Sequence, residues 1–223
     1  MFKALINFFG SDKKQNYVLP QEPSIDQIRP RTRILFVDDE KFAVVENMVN
    51  NGWTQAKRIK DVDNLNHPDI QNTDIFFVDI QGVGRKLNFI DEGLGLARAL
   101  KETYPSKIVI LYSAQTQGDR FDKTLSIVDD TIRKNADTYE FIRLTEQWSK
   151  EIFSPSRAIE RAQDIIKKET GRNVTYNEIE KVMSQQYNDS SSITPDSLSK
   201  ILDISKATAE TIAAIVSIFK PGN

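Results

Sequence analysis

Two stretches decide the fold: Arg33-Ile-Leu-Phe-Val-Asp-Asp-Glu40 and Ile75-Phe-Phe-Val-Asp79. Each is a continuous apolar run closed by carboxylates, without the alternation of a strand that faces water on one side. Runs of this kind read as strands buried on both faces, the property of a parallel sheet covered by helices. Ile108-Val-Ile-Leu-Tyr112 is a third such run and closes on Ser113-Ala114. Ala56 to Ile59 is a weaker strand candidate, and Asp130-Thr-Ile-Arg133 is a short last one that ends in Lys134.

Helical spacing fills the gaps between these runs. Phe42, Val45 and Val49 share one face over residues 41–50, and Leu94, Ala97 and Leu100 mark a helix that stops before Pro105. Residues 119–128 read as a helix, and Phe141, Thr145, Trp148 and Ile152 lie along a final one. Five strand–helix units predict a doubly wound α/β domain of the flavodoxin-like kind, with strand order 2-1-3-4-5.

The flanks read differently. Phe2, Leu5, Ile6 and Phe9 have helical spacing, and Gly10 ends that segment. A short helix docked on the protein's own surface or on a dimer mate is the plain reading; a membrane-surface or partner-binding helix is the other, with a single lysine to support it. Residues 17–32, with Pro20, Pro23 and Pro30, read as a linker. After residue 154 no strand is evident. Ala158, Ile159, Ala162, Ile165 and Ile166 form one helical stripe, 178–187 a second helix, and Leu198, Ile201 and Leu202 a third. Ile212, Ile215, Val216 and Phe219 line a fourth, stopped by Pro221-Gly222. The resulting division is 1–30 for the N-terminal helix and linker, 31–150 for the α/β domain, and 151–223 for an all-α extension.

The 223 residues carry 30 basic and 32 acidic side chains, a net charge of −2 that gives no general attraction to nucleic acid or acidic membrane. Cysteine is absent, which rules out disulfides and thiolate metal sites and fits a reducing compartment. No apolar run approaches the roughly 18–20 residues that span a bilayer, and the N-terminus lacks a secretory pattern. The expectation is a cytoplasmic protein without a transmembrane segment.

The chemistry gathers where the strands end, because ligands of a parallel α/β sheet bind beyond its carboxyl edge. The first strand ends in Asp38-Asp39, the third in Asp79, the fourth in Ser113 and the fifth in Lys134. An acid after one strand is usually a loop residue or helix cap, but here each group stands at the right end of its own strand. Three clustered carboxylates need a cation, and a hard, oxygen-seeking ion such as Mg²⁺ suits them while bridging to phosphate. Mg²⁺ and Lys134 can neutralise phosphoryl oxygens, Ser113 can hydrogen-bond one, and a carboxylate is a competent nucleophile toward phosphorus.

Arg33 to Glu40, Ile75 to Asp79, Ser113-Ala114 and Lys134 together resemble the receiver domain of two-component response regulators, over roughly residues 31–150. The resemblance implies that Asp79 accepts phosphate from a histidine kinase or a histidine phosphotransfer protein. It implies Mg²⁺ held by Asp79, by Asp39 directly, by Asp38 mainly through water, and by the backbone carbonyl of Gln81. Ser113 would be the switch hydroxyl and Lys134 the ion-pair partner of the phosphate. Such a chain is a phosphoprotein of a phosphorelay, not an enzyme.

Three features depart from the family. Gln81 to Asp91 is longer than usual, and despite Gly82 and Gly84 it reads as a flexible insertion more readily than as a phosphate-cradling loop. The aromatic switch position of the last strand falls on Thr131. Lys134 is followed by Asn135 where proline is usual. His67, the only histidine, reads as a solvated loop residue beside Pro68.

The extension admits two outputs. Leu198, Leu202, Ile204 and Ile212, with small Ser199, fall where a helix-turn-helix buries its apolar residues, and Ser205-Lys-Ala-Thr208 would open a recognition helix. Asp203 stands at the usual turn glycine, however, and only Lys206, Glu210 and small residues face bases. From residue 151 on, nine basic side chains meet ten acidic ones, a poor balance for phosphate contact. The sequence therefore favours output through protein contacts, with an unknown downstream partner or a homodimer mate covering the stripe at 212–219. A DNA-binding transcriptional response regulator is the alternative, and a metal-dependent phosphohydrolase on the same fold is a third reading.

Overall fold

A computed structural model describes residues 22–113, 126–188, 194–217 and 219, with the backbone alone at Ser113 and 185–188. Two compact units result, one from Ser24 to Glu151 and one that takes up the chain from Ile152 onward.

In the first unit the strands are β1 (Ile34–Val37), β2 (Ala56–Ile59), β3 (Ile75–Asp79), β4 (Ile108–Ser113) and β5 (Asp130–Arg133). All pair in parallel, in the order β2-β1-β3-β4-β5. The unalternating strands make two cores because side chains point to opposite faces in turn. Leu35, Val37, Phe76, Val78, Val109 and Leu111 meet Leu94, Ala97 and Leu100 of α4 (Glu92–Thr103) on one face. On the other face Phe36 stacks on Phe77 with ring centroids 4.6 Å apart, and both pack against Phe141 of α5 (Thr138–Ile152).

Three sequence expectations change here. Within the expected linker, 25–28 is a helical turn, α1 (Ile25–Ile28), capped by Ser24 and continued as 3₁₀ helix over Arg29–Arg31, with Ile28 buried. The helix after β1, α2 (Ala43–Asn50), buries Val44 and Met48, whereas Val49 is exposed. Phe42 precedes that helix in extended backbone (φ −129°, ψ 108°) and joins the aromatic core instead, 5.4 Å from both Tyr112 and Phe141. His67 is more than a solvated residue: it caps α3 (Pro68–Asn72), its Nδ1 accepting from the Asp69 N–H. Ala114, most of the helix expected over 119–128 and the segment with Phe2, Leu5, Ile6 and Phe9 lie outside the described residues.

The second unit is helical: α6 (Pro155–Thr170), α7 (Tyr176–Asn188), α8 (Pro195–Leu202) and α9 (Lys206–Ser217). Caps set the starts, with the Ser154 hydroxyl accepting from Arg157 N–H and Thr194 and Ser197 forming a capping box. Ile159, Ile166, Val182, Leu198 and Leu202 form its core. The stripe expected to need another subunit is covered within this unit: Ile212, Val216 and Phe219 are buried in the same core, and Ile215 packs against it. The described helices of this unit bring enough apolar surface to cover that face without a second subunit.

Candidate functional site

Sheet register brings the acids together. Val37 pairs with Val78, so the next residues, Asp38 and Asp79, emerge side by side, and Asp79 is itself opposite Tyr112. Asp38 and Asp79 are almost fully buried and Asp39 is exposed. One carboxylate oxygen from each of the three lies within 4.8 Å of the others.

Lys134, just past β5, reaches into this group. Its ammonium donates to Asp79 Oδ2 at 2.5 Å and lies 3.2 Å from Asp38 Oδ2. Burial is the largest influence on Asp79 and lifts its carboxyl above the usual range, against the pull of Lys134 and with added repulsion from Asp38. Burial also works against the Lys134 charge, but the hydrogen bonds and charges of Asp79 and Asp38 prevail and hold its pKa above the ordinary lysine value. Lys134 is therefore a permanent cation beside a carboxylate that pays a desolvation cost for its charge.

Asp38 is held on both oxygens. Its Oδ1 accepts from Glu40 N–H at 2.9 Å, and its Oδ2 accepts from the Tyr112 hydroxyl at 2.8 Å. Tyr112 is fully buried, and its burial, then the charge and hydrogen bond of Asp38, push the phenol pKa upward, so it remains a donor. The Asp38 carbonyl in turn accepts from Arg58 at 2.6 Å. Tyr112 and Arg58 were not singled out in the sequence. The one available signal was a polar-tipped ring at the last position of an otherwise aliphatic run.

The segment after β3 is tied down, which corrects the expected flexible insertion. Gly82 N–H donates to Glu92 Oε2 at 2.7 Å, and the N–H groups of Gly84 and Lys86 donate to the two oxygens of Asp61 at 2.5 and 3.0 Å. Val83 between them is fully buried. Backbone N–H groups left unpaired in such a loop are costly, and two carboxylates satisfy three of them.

The structure thus brings Asp38, Asp39, Asp79 and Lys134 into one group. Gln81 joins it through its N–H, 3.4 Å from Asp79 Oδ1. Ser113 ends β4 beside Arg133, and its side chain is outside the described part. Thr131 is exposed on β5. Three carboxylates at this spacing, one of them open to water, form a hard-oxygen donor set that fits Mg²⁺. Asp38, with both oxygens already engaged, suits a contact through water.

No family model matches the chain, and no curated protein does. Solved structures it is similar to include response regulators and receiver domains. NtrX from Brucella abortus in complex with ATP shares 20% identity over 62% of this chain and 34% of that chain, with a TM-score of 0.46. The receiver domain of NtrX from Brucella abortus shares 22% identity over 52% of this chain and 98% of that one, with a TM-score of 0.44. A response regulator from Thermotoga maritima shares 20% identity over 53% of this chain and 97% of that one, with a TM-score of 0.40. This chain spans about a third of the length of the ATP-bound NtrX chain. At these identities the likeness is one of fold, and what the site can do rests on its own residues.

Proposed function

We propose that the chain is a phospho-accepting response regulator of a two-component phosphorelay, with Asp79 as the acceptor and output through protein contacts of the helical unit. The observation that supports this most is the placing of Asp79: a nearly buried carboxylate with Lys134 Nζ at 2.5 Å and two further acids close enough to share a cation. An Asp79 oxygen attacks phosphorus in the phosphohistidine of a kinase or phosphotransfer protein. The new O–P bond forms as the P–N bond breaks, and the imidazole leaves with the bonding pair. Lys134 then faces a phosphoryl group in place of a bare carboxylate, and Ser113 at the end of β4 serves as the switch hydroxyl. Asp39, Asp79 and the Gln81 carbonyl would hold Mg²⁺ directly and Asp38 through water; bound there, the ion supplies charge neutralisation of the phosphoryl oxygens. No described helix is long and apolar enough to cross a membrane, and a phosphorelay partner of this kind works in the cytoplasm. The test is intact-mass measurement after incubation with acetyl phosphate and Mg²⁺. Wild type should take up one phosphoryl group and Asp79→Asn none, whereas continued release of inorganic phosphate from simple esters would indicate a phosphohydrolase.

One observation favours DNA as the output. Asp203, between α8 and α9, adopts the left-handed conformation (φ 51°, ψ 57°), doing there what a turn glycine does, and Ser199 Oγ donates to the Ile204 carbonyl across the turn. The exposed face of α9 speaks against it. That face presents Lys206, Ala207, Glu210, Thr211 and Ala214, and Lys206 is already paired with Asp196 at 3.2 Å. Tight binding to a specific duplex at physiological salt would nevertheless establish the DNA reading.

A further inference from the structure

The geometry points to Glu92 and Asp61 as positioning residues for the Asp39 carboxylate, acting through the segment 82–86; this rests on the Mg²⁺ site proposed above. Asp39 is exposed, and among the described residues no hydrogen bond of its side chain fixes it. What bounds it is the backbone of Gly82. That residue has φ +79°, and a Cβ added there would lie 2.4 Å from Asp39 Oδ2 and 2.5 Å from Oδ1. Gly82 therefore backs directly onto the acid, in a conformation and at a distance that only glycine permits.

Asp61 holds the chain just beyond Gly82, and Glu92 holds Gly82 itself. Glu92 grips it from the start of α4, with Oε2 on the Gly82 N–H and Oε1 taking the Nε and Nη2 of Arg85 at 3.2 and 3.0 Å. The Gly82 N–H, followed by Arg85, holds the Glu92 carboxyl below its ordinary range, so the grip stays charged near neutrality. Glu92 is itself anchored to the acceptor strand. Its neighbour Gly93 donates to the Ile80 carbonyl at 3.0 Å and lies so close to Asp79 that a Cβ would meet the Asp79 carbonyl oxygen at 1.8 Å. Asp61, from the segment after β2, holds Gly84 and Lys86. The two acids thus stretch the insertion between the β2 end and the α4 start, and its first glycine becomes a wall for Asp39. Carboxylates that only stabilised a loop would hold it anywhere; here Glu92 holds the N–H of the residue that lies against a candidate metal ligand, and Asp61 holds the chain two and four residues further on.

The test is calorimetric Mg²⁺ titration of the full-length chain as wild type, Asp39→Ala, Glu92→Ala, Glu92→Gln and Asp61→Ala, with thermal unfolding of each without Mg²⁺. Removing groups that orient a metal ligand typically weakens affinity about 10–100-fold, and that loss is expected for Glu92→Ala and Asp61→Ala at a temperature where each metal-free variant is still fully folded. Glu92→Gln, whose amide oxygen still accepts from Gly82, should stay close to wild type. Wild-type affinity in Glu92→Ala and Asp61→Ala overturns the inference, as does an equal loss in Glu92→Ala and Glu92→Gln accompanied by a fall in unfolding midpoint. If Glu92→Ala does not fold, Asp61→Asn takes its place: it keeps one acceptor oxygen and should bind with intermediate affinity, and wild-type affinity there overturns the proposal. Failure of wild type to bind Mg²⁺, or undiminished binding by Asp39→Ala, removes the metal site itself and so is distinguishable from failure of this inference.

Discussion

The clustered acids were legible one residue at a time because each stands at the end of a strand that could be read unaided. Tyr112 was not, since inside an apolar run a phenol is read by its ring and not by its hydroxyl. That hydroxyl is one of the groups holding Asp38, which is buried and close to two other negative charges. Tyr112→Phe leaves Asp38 Oδ2 short of a donor while keeping the ring contacts with Phe42 and Phe141. With Lys134 still 3.2 Å from that oxygen, what is lost is one hydrogen bond to a charged group, about 1.5–3 kcal/mol, and urea unfolding of the metal-free protein should show a loss in that range. The division of labour between Asp38 and Asp39 gives a second outcome. Asp38 is occupied by Tyr112, Glu40 N–H and Lys134, whereas Asp39 is open to water. Mg²⁺ titration followed by Trp148 fluorescence should therefore show a larger loss of affinity for Asp39→Ala than for Asp38→Ala; equal losses would refute the assignment of the direct ligand.

At the scale of elements, strands of uniform apolar character were readable from composition, and loops were not. The segment 81–91 looked flexible because its glycines and polar residues give no periodicity. Its order comes from Asp61 and Glu92, which lie outside its central turn and carry no local signal. The face of α2 was misread for a related reason. Phe42 fits the helical spacing, but it stands one residue before the helix and is drawn to the rings of Tyr112 and Phe141. In the helical unit the start of α9 depends on Glu169, which accepts from Ser205 N–H at 2.8 Å. A hydrogen bond from Thr208, then that from Ser205, holds the Glu169 carboxyl below the ordinary glutamate range. A depressed carboxyl contributes fully above its unfolded value and loses that contribution as pH falls through the folded one. An NMR titration should accordingly place the Glu169 midpoint, and the accompanying movement of the Ser205 amide, below the midpoint of an unperturbed glutamate, and a midpoint at or above that of an unperturbed glutamate would contradict the contact.

At the scale of the molecule, the α/β architecture followed from five strands and their ends, but the fate of the last apolar stripe did not. Whether a stripe meets its own chain or another depends on tertiary contacts that spacing does not encode, and here Ile212, Val216 and Phe219 close the core of their own unit. Ile212→Ala should lower the stability of that unit by about 2–5 kcal/mol, seen as an earlier unfolding transition, while phosphate uptake is retained. Loss of uptake in that variant would show a coupling that nothing in the sheet requires. The central claim remains the covalent chemistry of one carboxylate. An acyl phosphate is reduced by borohydride to the alcohol, which turns a phosphorylated aspartate into homoserine. Mg²⁺ and acetyl phosphate followed by borohydride and peptide mass mapping should give homoserine at residue 79 in wild type and none anywhere in Asp79→Asn. Homoserine at another aspartate, or equal labelling of the Asp79→Asn variant, would contradict the assignment of Asp79 as the phosphoacceptor.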